Sequence, residues 1–177
     1  MILKLVRTPG IYLVGFMCSG KTTVGRLLAE RLGWHFIDLD GEIEAEHGAS
    51  IAGIFEQQGE AAFRTLETEA LRKRLKLVRG GRPVVIALGG GTFAQPENVE
   101  LLEENGVTVW LDCPLETARR RLGDDCARPL ARDPQRFAAL YEERRAAYAH
   151  ADYRIDITDD DADAAVKSIC ALPMFRA

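Results

Sequence analysis

Residues 10–22 read Gly-Ile-Tyr-Leu-Val-Gly-Phe-Met-Cys-Ser-Gly-Lys-Thr. The first five residues of this stretch form an apolar run that predicts a buried strand ending at Gly15. Residues 15–22 then match the pattern G-x-x-x-x-G-K-[ST], placed after the strand and at the start of a helix. In such a loop, backbone N–H groups and the positive helix N-terminus surround phosphate oxygens. The stretch therefore predicts a P-loop that binds the phosphates of a nucleotide.

The rest of the chain alternates short apolar runs with helical patterns. Strands are predicted at residues 10–14, 35–38, 83–88, 107–111 and 153–157. Helices are predicted at residues 21–32, 42–47, 51–58 and 60–76, and from residues 96, 115, 135 and 162. This alternation is typical of a parallel sheet with helical crossovers, so we expect an α/β fold of three layers, α/β/α, around a five-stranded parallel sheet. A length of 177 residues fits a single domain, 1–177.

The composition excludes several classes of protein. A net charge of −4 gives no footprint for nucleic acid as a main partner. The longest uncharged runs are shorter than the ~20 residues that span a bilayer, so no membrane segment is expected. The 4 cysteines include no C-x-x-C pair, which argues against a structural zinc site. Scattered cysteines without an export signal are typical of a reducing compartment, and we expect a cytoplasmic protein.

The features that accompany the P-loop narrow the kind of protein. Guanine-specific switches need an Asn-Lys-x-Asp element, and neither Asn98 nor Asn105 lies in one. Large motor and transporter ATPases usually need a longer chain and an apolar strand that ends in an acid. Asp112 follows such a run, but the Cys113-Pro114 pair after it predicts a turn into a helix. The small size and an arginine-containing loop at residues 123–134 favour a kinase for nucleotides or small metabolites.

Two acidic residues close the second predicted strand, at the sheet edge where ligands of open α/β folds bind. Asp38 and Asp40 are two residues apart, and on a strand this spacing points both carboxylates the same way. One carboxylate would then face Mg²⁺ while the other reaches a substrate hydroxyl. The alternative is a pair of acids that begin the next helix, where the helix dipole favours negative charge.

Three glycines, 89–91, follow the third predicted strand, and arginines recur in later segments. Glycines at the end of a strand let the backbone approach a ligand closely, although a plain loop has the same composition. Arg64 lies in a long predicted helix, Arg128 in the loop at 123–134, and Arg144 in the helix after that loop. A lone arginine on a helix is usually solvated, so each is weak evidence by itself.

Six segments in this order form one pattern, and they are Gly15-x4-Gly20-Lys21-Thr22, Asp38-Leu39-Asp40, Ile54-Phe55 with Gly59-Glu60 and Phe63-Arg64, Leu88-Gly89-Gly90-Gly91, Arg128-Pro129-Leu130, and Arg144 four residues before Tyr148. With them, the chain resembles the shikimate kinases from about the first strand to the last helix. That family transfers the γ-phosphate of ATP to the 3-hydroxyl of shikimate, on the route to chorismate and the aromatic amino acids. The resemblance implies a P-loop kinase architecture with a mobile lid.

The resemblance also implies catalytic and metal-binding roles. Lys21 would neutralise the β- and γ-phosphates, and Asp40 would orient or deprotonate the attacking hydroxyl. Arg128, carried by a lid at about residues 122–134, would close on the transferred phosphoryl group. Mg²⁺ would be held by Thr22 and, through a water molecule, by Asp38.

Binding of the two substrates is implied residue by residue. The residues that would contact ATP are Cys18, Ser19, Gly20, Lys21, Thr22, Thr23, Arg121 and Arg128. Of these, Arg121 would lie near the adenine or its phosphates. The residues that would contact shikimate are Asp40, Arg64, Gly89, Gly90, Gly91 and Arg144. Arg64 and Arg144 would hold the shikimate carboxylate, and a helical region at about residues 41–76 would carry much of this site. The implied partners are these small molecules, and the family suggests a monomer.

The chain departs from the family pattern at three places. Cys18 stands where the P-loop usually carries glycine, which bears on nucleotide affinity. Residues 146–147 are Ala-Ala where the family usually has Pro-Leu, so the carboxylate-binding arginine could be Arg145 rather than Arg144. An acidic run at residues 158–161 replaces an arginine that some relatives place near the adenine, and we expect it to form a solvated turn and helix cap.

Two alternative functions remain at this point. One is another small-metabolite kinase of the gluconate kinase type, and the other is a nucleotide-binding module without catalysis. The intact Lys21, Asp40 and Arg128 argue against the second alternative, and Cys18 is the one feature in its favour.

Overall fold

A computed structural model of the protein describes residues 10–123 and 133–175. Its strands are β1 (Gly10–Val14), β2 (His35–Asp38), β3 (Val84–Ala87), β4 (Val107–Asp112) and β5 (Tyr153–Asp156). They form one sheet in the order β2-β3-β1-β4-β5, and every neighbouring pair is parallel. The predicted five-stranded parallel α/β fold is confirmed, with strand bounds that differ from the prediction by one residue at most.

Seven α-helices connect and cover the strands in the described part of the chain. They are α1 (Lys21–Leu32), α2 (Leu39–His47), α3 (Ile51–Arg79), α4 (Pro96–Glu103), α5 (Leu115–Leu122), α6 (Pro134–Tyr148) and α7 (Ala162–Cys170). One short 3-10 turn, Thr92–Ala94, lies between β3 and α4, and another, Pro173–Phe175, comes after α7. Among the described residues, no helix has both the length and the apolar character that crossing a membrane requires.

The core lies on both faces of the three central strands. All residues of β1 and β3 are buried, as expected for strands that helices cover on each side. The edge strands β2 and β5 are partly exposed. The apolar runs of the sequence therefore mark the centre of the sheet, and the weaker runs mark its edges.

The start of α2 differs from the prediction. This helix begins at Leu39 rather than at residue 42, because the Asp38 side chain caps it by accepting a hydrogen bond from the Gly41 N–H at 3.2 Å. Asp40 consequently lies in the first turn of a helix. The expectation that Asp38 and Asp40 share one strand face is wrong, and the alternative of acids that begin the next helix is correct.

The two helices predicted at residues 51–58 and 60–76 are the two halves of α3. Ser50 caps the first half by accepting from the Gly53 N–H at 3.1 Å. Gly59 separates the halves with φ 82° and ψ 170°, a conformation that is essentially restricted to glycine. The second half continues beyond the predicted end, to Arg79. The kink at Gly59 changes the direction of the helix between Phe55 and Arg64.

The sheet topology places the P-loop at the centre of one edge. The first strand, β1, lies between β3 and β4, so the chain leaves its carboxyl end at the point where the strand order reverses. In open α/β sheets, ligands bind in the crevice at this point. The segments that follow β1, β2 and β3 all emerge at this edge because the strands are parallel.

Candidate active site

A cavity of about 1760 Å³ opens at the carboxyl edge of the sheet. Its walls include residues 16–24 of the P-loop and the start of α1. They also include Asp38, Asp40, Arg64 and the glycines at 89–91. The cavity therefore joins, in one space, the segments that the sequence assigned to the phosphates and to the acceptor.

The P-loop is ordered by contacts within itself. The Lys21 ammonium donates to the carbonyl oxygens of Gly15 at 2.7 Å and Phe16 at 2.9 Å. The residue before it, Gly20, caps α1 with φ 93°. Cys18 has φ 61°, a left-handed conformation in which a side chain is unfavourable. The cysteine thus adopts the backbone conformation that glycine favours at its position.

A hydroxyl and a carboxylate meet at the start of α1. Thr22 Oγ1 donates to Asp38 Oδ2 at 2.6 Å, and both residues line the cavity beside the P-loop. Oxygen donors of this kind suit Mg²⁺, which typically keeps several waters and takes few ligands from the protein when nucleotide phosphates supply the rest. The Thr22–Asp38 pair therefore fits the metal of a bound nucleotide.

Asp40 is a half-buried carboxylate that lines the cavity. Its Oδ1 atom is buried without a hydrogen-bond partner. Burial raises its pKa to about 6, and the neighbouring Glu67 adds to the rise while Lys21 opposes it. A Cβ atom at Gly89 would lie 2.6 Å from Asp40 Oδ1 and 2.8 Å from Glu67 Oε1, so this close approach requires glycine. Asp40 therefore offers the cavity a hydrogen-bond acceptor whose pKa is about 6.

Arg64 is fixed in the cavity wall by Glu67. Its Nη1 atom donates to Glu67 Oε2 at 2.8 Å, and Glu67 Oε1 also accepts from the Thr92 hydroxyl. The aromatic rings of Phe55 and Phe63 lie 5.9 Å and 5.3 Å from the Arg64 guanidinium carbon. Arg64 Nε is buried without a partner. Its Nη2 atom donates to Glu60 at 3.3 Å, a long contact with a side chain that is 64% exposed. Because this second nitrogen is held only by an exposed carboxylate and the guanidinium lines the cavity, a small anion can take the place of Glu60.

The two neighbouring arginines of α6 are in different environments. Arg144 lines the cavity and is 13% exposed, with Glu143 at 4.0 Å. Arg145 instead pairs with Asp112 and lies 5.1 Å from the Trp110 ring. The structure therefore brings Arg144, and not Arg145, to the cavity. Asp112, which resembled the acid of a larger ATPase, is occupied by this ion pair and by a second one with Arg154 at 2.8 Å.

Arg121 lines the cavity and contacts the P-loop. It donates to the carbonyl oxygen of Cys18 at 3.1 Å, to that of Asp159 at 2.9 Å and to Asp160 Oδ1 at 2.9 Å. Asp161 caps α7, as expected. Residues 158–161 are exposed, as expected for a solvated turn, and the Asp160 carboxylate also pairs with two arginines, Arg120 and Arg121.

Comparison with known proteins identifies the family to which the chain belongs. A family model described as shikimate kinase matches residues 17–172. A shikimate kinase from Persephonella marina is 47% identical over 146 residues, which cover 82% of this chain and 87% of that protein. Another from Moorella thermoacetica is 46% identical and covers 91% of this chain and 92% of its own length. The chain belongs to the shikimate kinase family.

Solved structures of the family share this fold over nearly the whole chain. Shikimate kinase from Acinetobacter baumannii, in complex with shikimate, is 41% identical, with a TM-score of 0.84 and coverage of 92% and 91% of the two chains. The enzyme from Aquifex aeolicus is also 41% identical, with a TM-score of 0.79 and coverage of 90% and 93%. The family's reaction is ATP-dependent phosphorylation of shikimate, and the chain is accordingly an ATP-dependent kinase.

Most of the site residues predicted from the sequence lie together in this family member. Those that line the one cavity are Cys18, Ser19, Gly20, Lys21, Thr22, Thr23, Asp38, Asp40, Arg64, Gly89, Gly90, Gly91, Arg121 and Arg144. Arg128 and the lid segment at 124–132 lie outside the described residues. The roles of all these residues stay predictions.

Glu67 is a site residue that the sequence analysis missed. It is fully buried and holds Arg64 from one helical turn away. A signal was present, because Glu67 falls on the same face of α3 as the buried Phe63, Ala70 and Leu71. A carboxylate in an apolar helical phase is rarely buried unless it has a partner.

Proposed function

We propose that this chain transfers the γ-phosphate of ATP to the 3-hydroxyl of shikimate in the cavity at the carboxyl edge of its sheet. One observation carries the proposal: the P-loop, the unpartnered Asp40 Oδ1 atom and the partly held guanidinium of Arg64 line the same cavity. A phosphate donor, a hydroxyl and a carboxylate are the three groups that such a set of side chains binds.

On the nucleotide side, we assign the phosphates to the backbone N–H groups of residues 18–23 and to the Lys21 ammonium. The negative charge on the transferred group is spread over its oxygens, so positioned positive charge contributes most of the catalysis. Thr22 and, through a water molecule, Asp38 would hold Mg²⁺, which neutralises phosphate charge when bound.

On the acceptor side, we assign the attacking hydroxyl to Asp40 and the carboxylate to Arg64 and Arg144. Asp40 accepts the hydrogen bond of the hydroxyl and orients it toward the phosphate, or takes its proton. The planar guanidinium groups pair with both carboxylate oxygens, which fixes the ring in one register. The backbone N–H groups of residues 89–91 complete the site.

The remaining parts of the proposal concern the lid and the state of the protein. We assign residues 122–134 to a lid whose Arg128 stabilises the transferred phosphoryl group. The analogy is with arginine fingers, which raise the rate of phosphoryl transfer by about 10³-fold or more. Arg128→Ala should therefore lower kcat by up to about 10³-fold, and a variant that retains full kcat would remove this role. We further propose that the protein is a single-domain cytoplasmic monomer. Light scattering tests the oligomeric state, and a monomer has a mass of 19.6 kDa.

The deciding experiment measures ADP release with Mg²⁺-ATP and either shikimate or gluconate as acceptor. We expect turnover with shikimate alone. Asp40→Asn should lower kcat by about 10²-fold or more, since it removes the acceptor of the hydroxyl proton, while Asp163→Asn, a surface change in α7, should leave kcat unchanged. Turnover with gluconate would favour the other kinase class. Saturable ATP binding without turnover on either acceptor would favour a non-catalytic nucleotide-binding module.

A further inference from the structure

The Arg121 side chain joins three segments of the chain at the nucleotide end of the cavity. It belongs to α5, yet it donates to the P-loop carbonyl of Cys18 at 3.1 Å and to the Asp159 carbonyl at 2.9 Å in the loop before α7. Its Nε atom donates to Asp160 Oδ1 at 2.9 Å. All four of these residues line the cavity. Arg121 therefore couples the P-loop to the loop between β5 and α7.

The hydrogen-bonding edge of Arg121 is largely occupied by these protein contacts. A guanidinium has five N–H donors, and the two carbonyls and Asp160 take three of them. The Nη1 atom also lies 3.8 Å from Cys113 Sγ. With three donors held in this way, the planar group is restricted in orientation where it lines the cavity.

Asp160 is the acidic partner in this arrangement. Its Oδ1 atom accepts from both Arg121 Nε and Arg120 Nη2, each at 2.9 Å, and its Oδ2 atom accepts from Arg120 Nη2 at 2.8 Å. The Arg120 side chain is 63% exposed, whereas that of Arg121 is 22% exposed. An ion pair with an exposed side chain contributes little, but a pair that fixes a half-buried arginine removes its alternative orientations. The contact with Arg121 is thus the one that bears on the cavity.

We propose that Asp160 is a positioning residue for ATP binding, acting through Arg121. It holds the guanidinium at the nucleotide end of the cavity, and through Arg121 it also steadies the Cys18 carbonyl of the P-loop. This proposal rests on the proposed function only in taking ATP as the nucleotide. Without Asp160, Arg121 loses its charged partner and samples other orientations, so nucleotide affinity falls while the acceptor site, which lies beyond the P-loop, is unaffected.

The test compares Asp160→Ala with the wild-type protein in two measurements. Titration calorimetry gives the Kd for Mg²⁺-ATP, and ADP release gives kcat and the KM values for both substrates. We expect Kd and KM for Mg²⁺-ATP to rise about three- to fivefold, the range that an ion pair with an exposed acid supports. The shikimate KM and kcat should stay within about twofold, a split that a general loss of structure would not produce. Asp160→Asn, which keeps an oxygen acceptor for Nε, should recover part of the affinity.

Three further variants separate the contact with Arg121 from other effects. Arg120→Ala removes the second partner of Asp160, and Asp163→Ala removes a nearby acid that pairs instead with Arg31 and Lys167. Both should bind Mg²⁺-ATP as the wild type does. In an Arg121→Ala background, Asp160→Ala should add no further loss, because the two residues act as one unit.

Several results would overturn the positioning role. An unchanged Kd in Asp160→Ala would do so, as would an equal loss from this change in the Arg121→Ala background. An equal loss in Arg120→Ala would transfer the effect to the other ion pair. Failure of the proposed function would look different: the wild type would not turn over shikimate, and the calorimetric comparison of Asp160→Ala would still decide the role of Asp160.

Discussion

Asp40 carries the pH dependence that this site is expected to show. Its pKa lies at about 6 because burial and the nearby Glu67 disfavour the charged form. The proposed role needs the carboxylate, which is present above this pKa and is lost as the pH falls through it. We therefore expect kcat/KM for shikimate to be level above about pH 7 and to fall about tenfold per pH unit below 6.

The measurement is ADP release between pH 5 and 8 at saturating Mg²⁺-ATP. Asp40→Asn is the control, since its residual activity should lose the step near pH 6 while other titrating groups remain. A wild-type profile that stays level down to pH 5 would contradict the assignment of Asp40 as the group that must be ionised.

Cys18 combines a left-handed backbone conformation with a position in the loop that we assign to the nucleotide phosphates. Its φ of 61° disfavours any side chain, and most strongly a β-branched one. We expect Cys18→Val to raise the KM for Mg²⁺-ATP at least about fivefold and to lower the free energy of unfolding by about 1–2 kcal/mol. Cys18→Gly should leave the KM within about twofold. Kinetics and urea unfolding of the two variants check this, and the reverse order of the variants would contradict it.

At the level of elements, the kink of α3 shapes the part of the cavity to which we assign the acceptor. Phe55 lies before Gly59 and Arg64 after it, yet their side chains meet because the helix changes direction between them. A Cβ atom at Gly59 would touch nothing within 4 Å, so substitution there changes backbone conformation and not packing. The kink can therefore be tested without a steric side effect.

We expect Gly59→Ala to lower the free energy of unfolding by about 1–3 kcal/mol. It should also raise the KM for shikimate more than the KM for Mg²⁺-ATP, since Arg64 moves and the P-loop does not. Gly48→Ala is a matched control: its φ of 63° is also positive and its Cβ also meets open space, but it lies at the end of α2. Equal effects of the two changes on the shikimate KM would contradict the role of the kink.

The elements differ in how far the sequence predicts them. The strand–loop–helix unit at residues 10–32 follows from an apolar run, a glycine-rich motif and a helical period that agree with one another. The sequence places Asp40 on the same strand face as Asp38, whereas it lies in the first turn of α2. Asp38 is both the last residue of β2 and the cap of α2, and the spacing of the two acids does not show that the helix begins between them. Glu67 was missed because one of its partners, Thr92, meets it only after α3 packs against the segment that follows β3, and the other, Arg64, was itself weak evidence on a helix.

The whole molecule determines the site, because its residues come from distant parts of the chain. Arg121 and Arg144 reach the same cavity as the P-loop only when β4 and α6 have packed against the rest of the sheet. Sequence motifs assign the chemistry of these residues, but they give no distance between them. For this reason, the choice between Arg144 and Arg145 and the partners of Asp160 required the folded structure.

This architecture predicts that ligands stabilise the fold as a unit. A ligand that binds only the native state at 100 times its Kd adds about 2.7 kcal/mol to the free energy of unfolding. We expect Mg²⁺-ATP and shikimate each to raise the unfolding temperature. Removal of the metal with EDTA should reduce the shift caused by ATP, because phosphate charge beside Asp38 is then uncompensated, and should leave the shift caused by shikimate unchanged. Differential scanning calorimetry measures these shifts. A shikimate shift that depends on EDTA, or an ATP shift that does not, would contradict the assignment of Thr22 and Asp38 to the metal of the nucleotide.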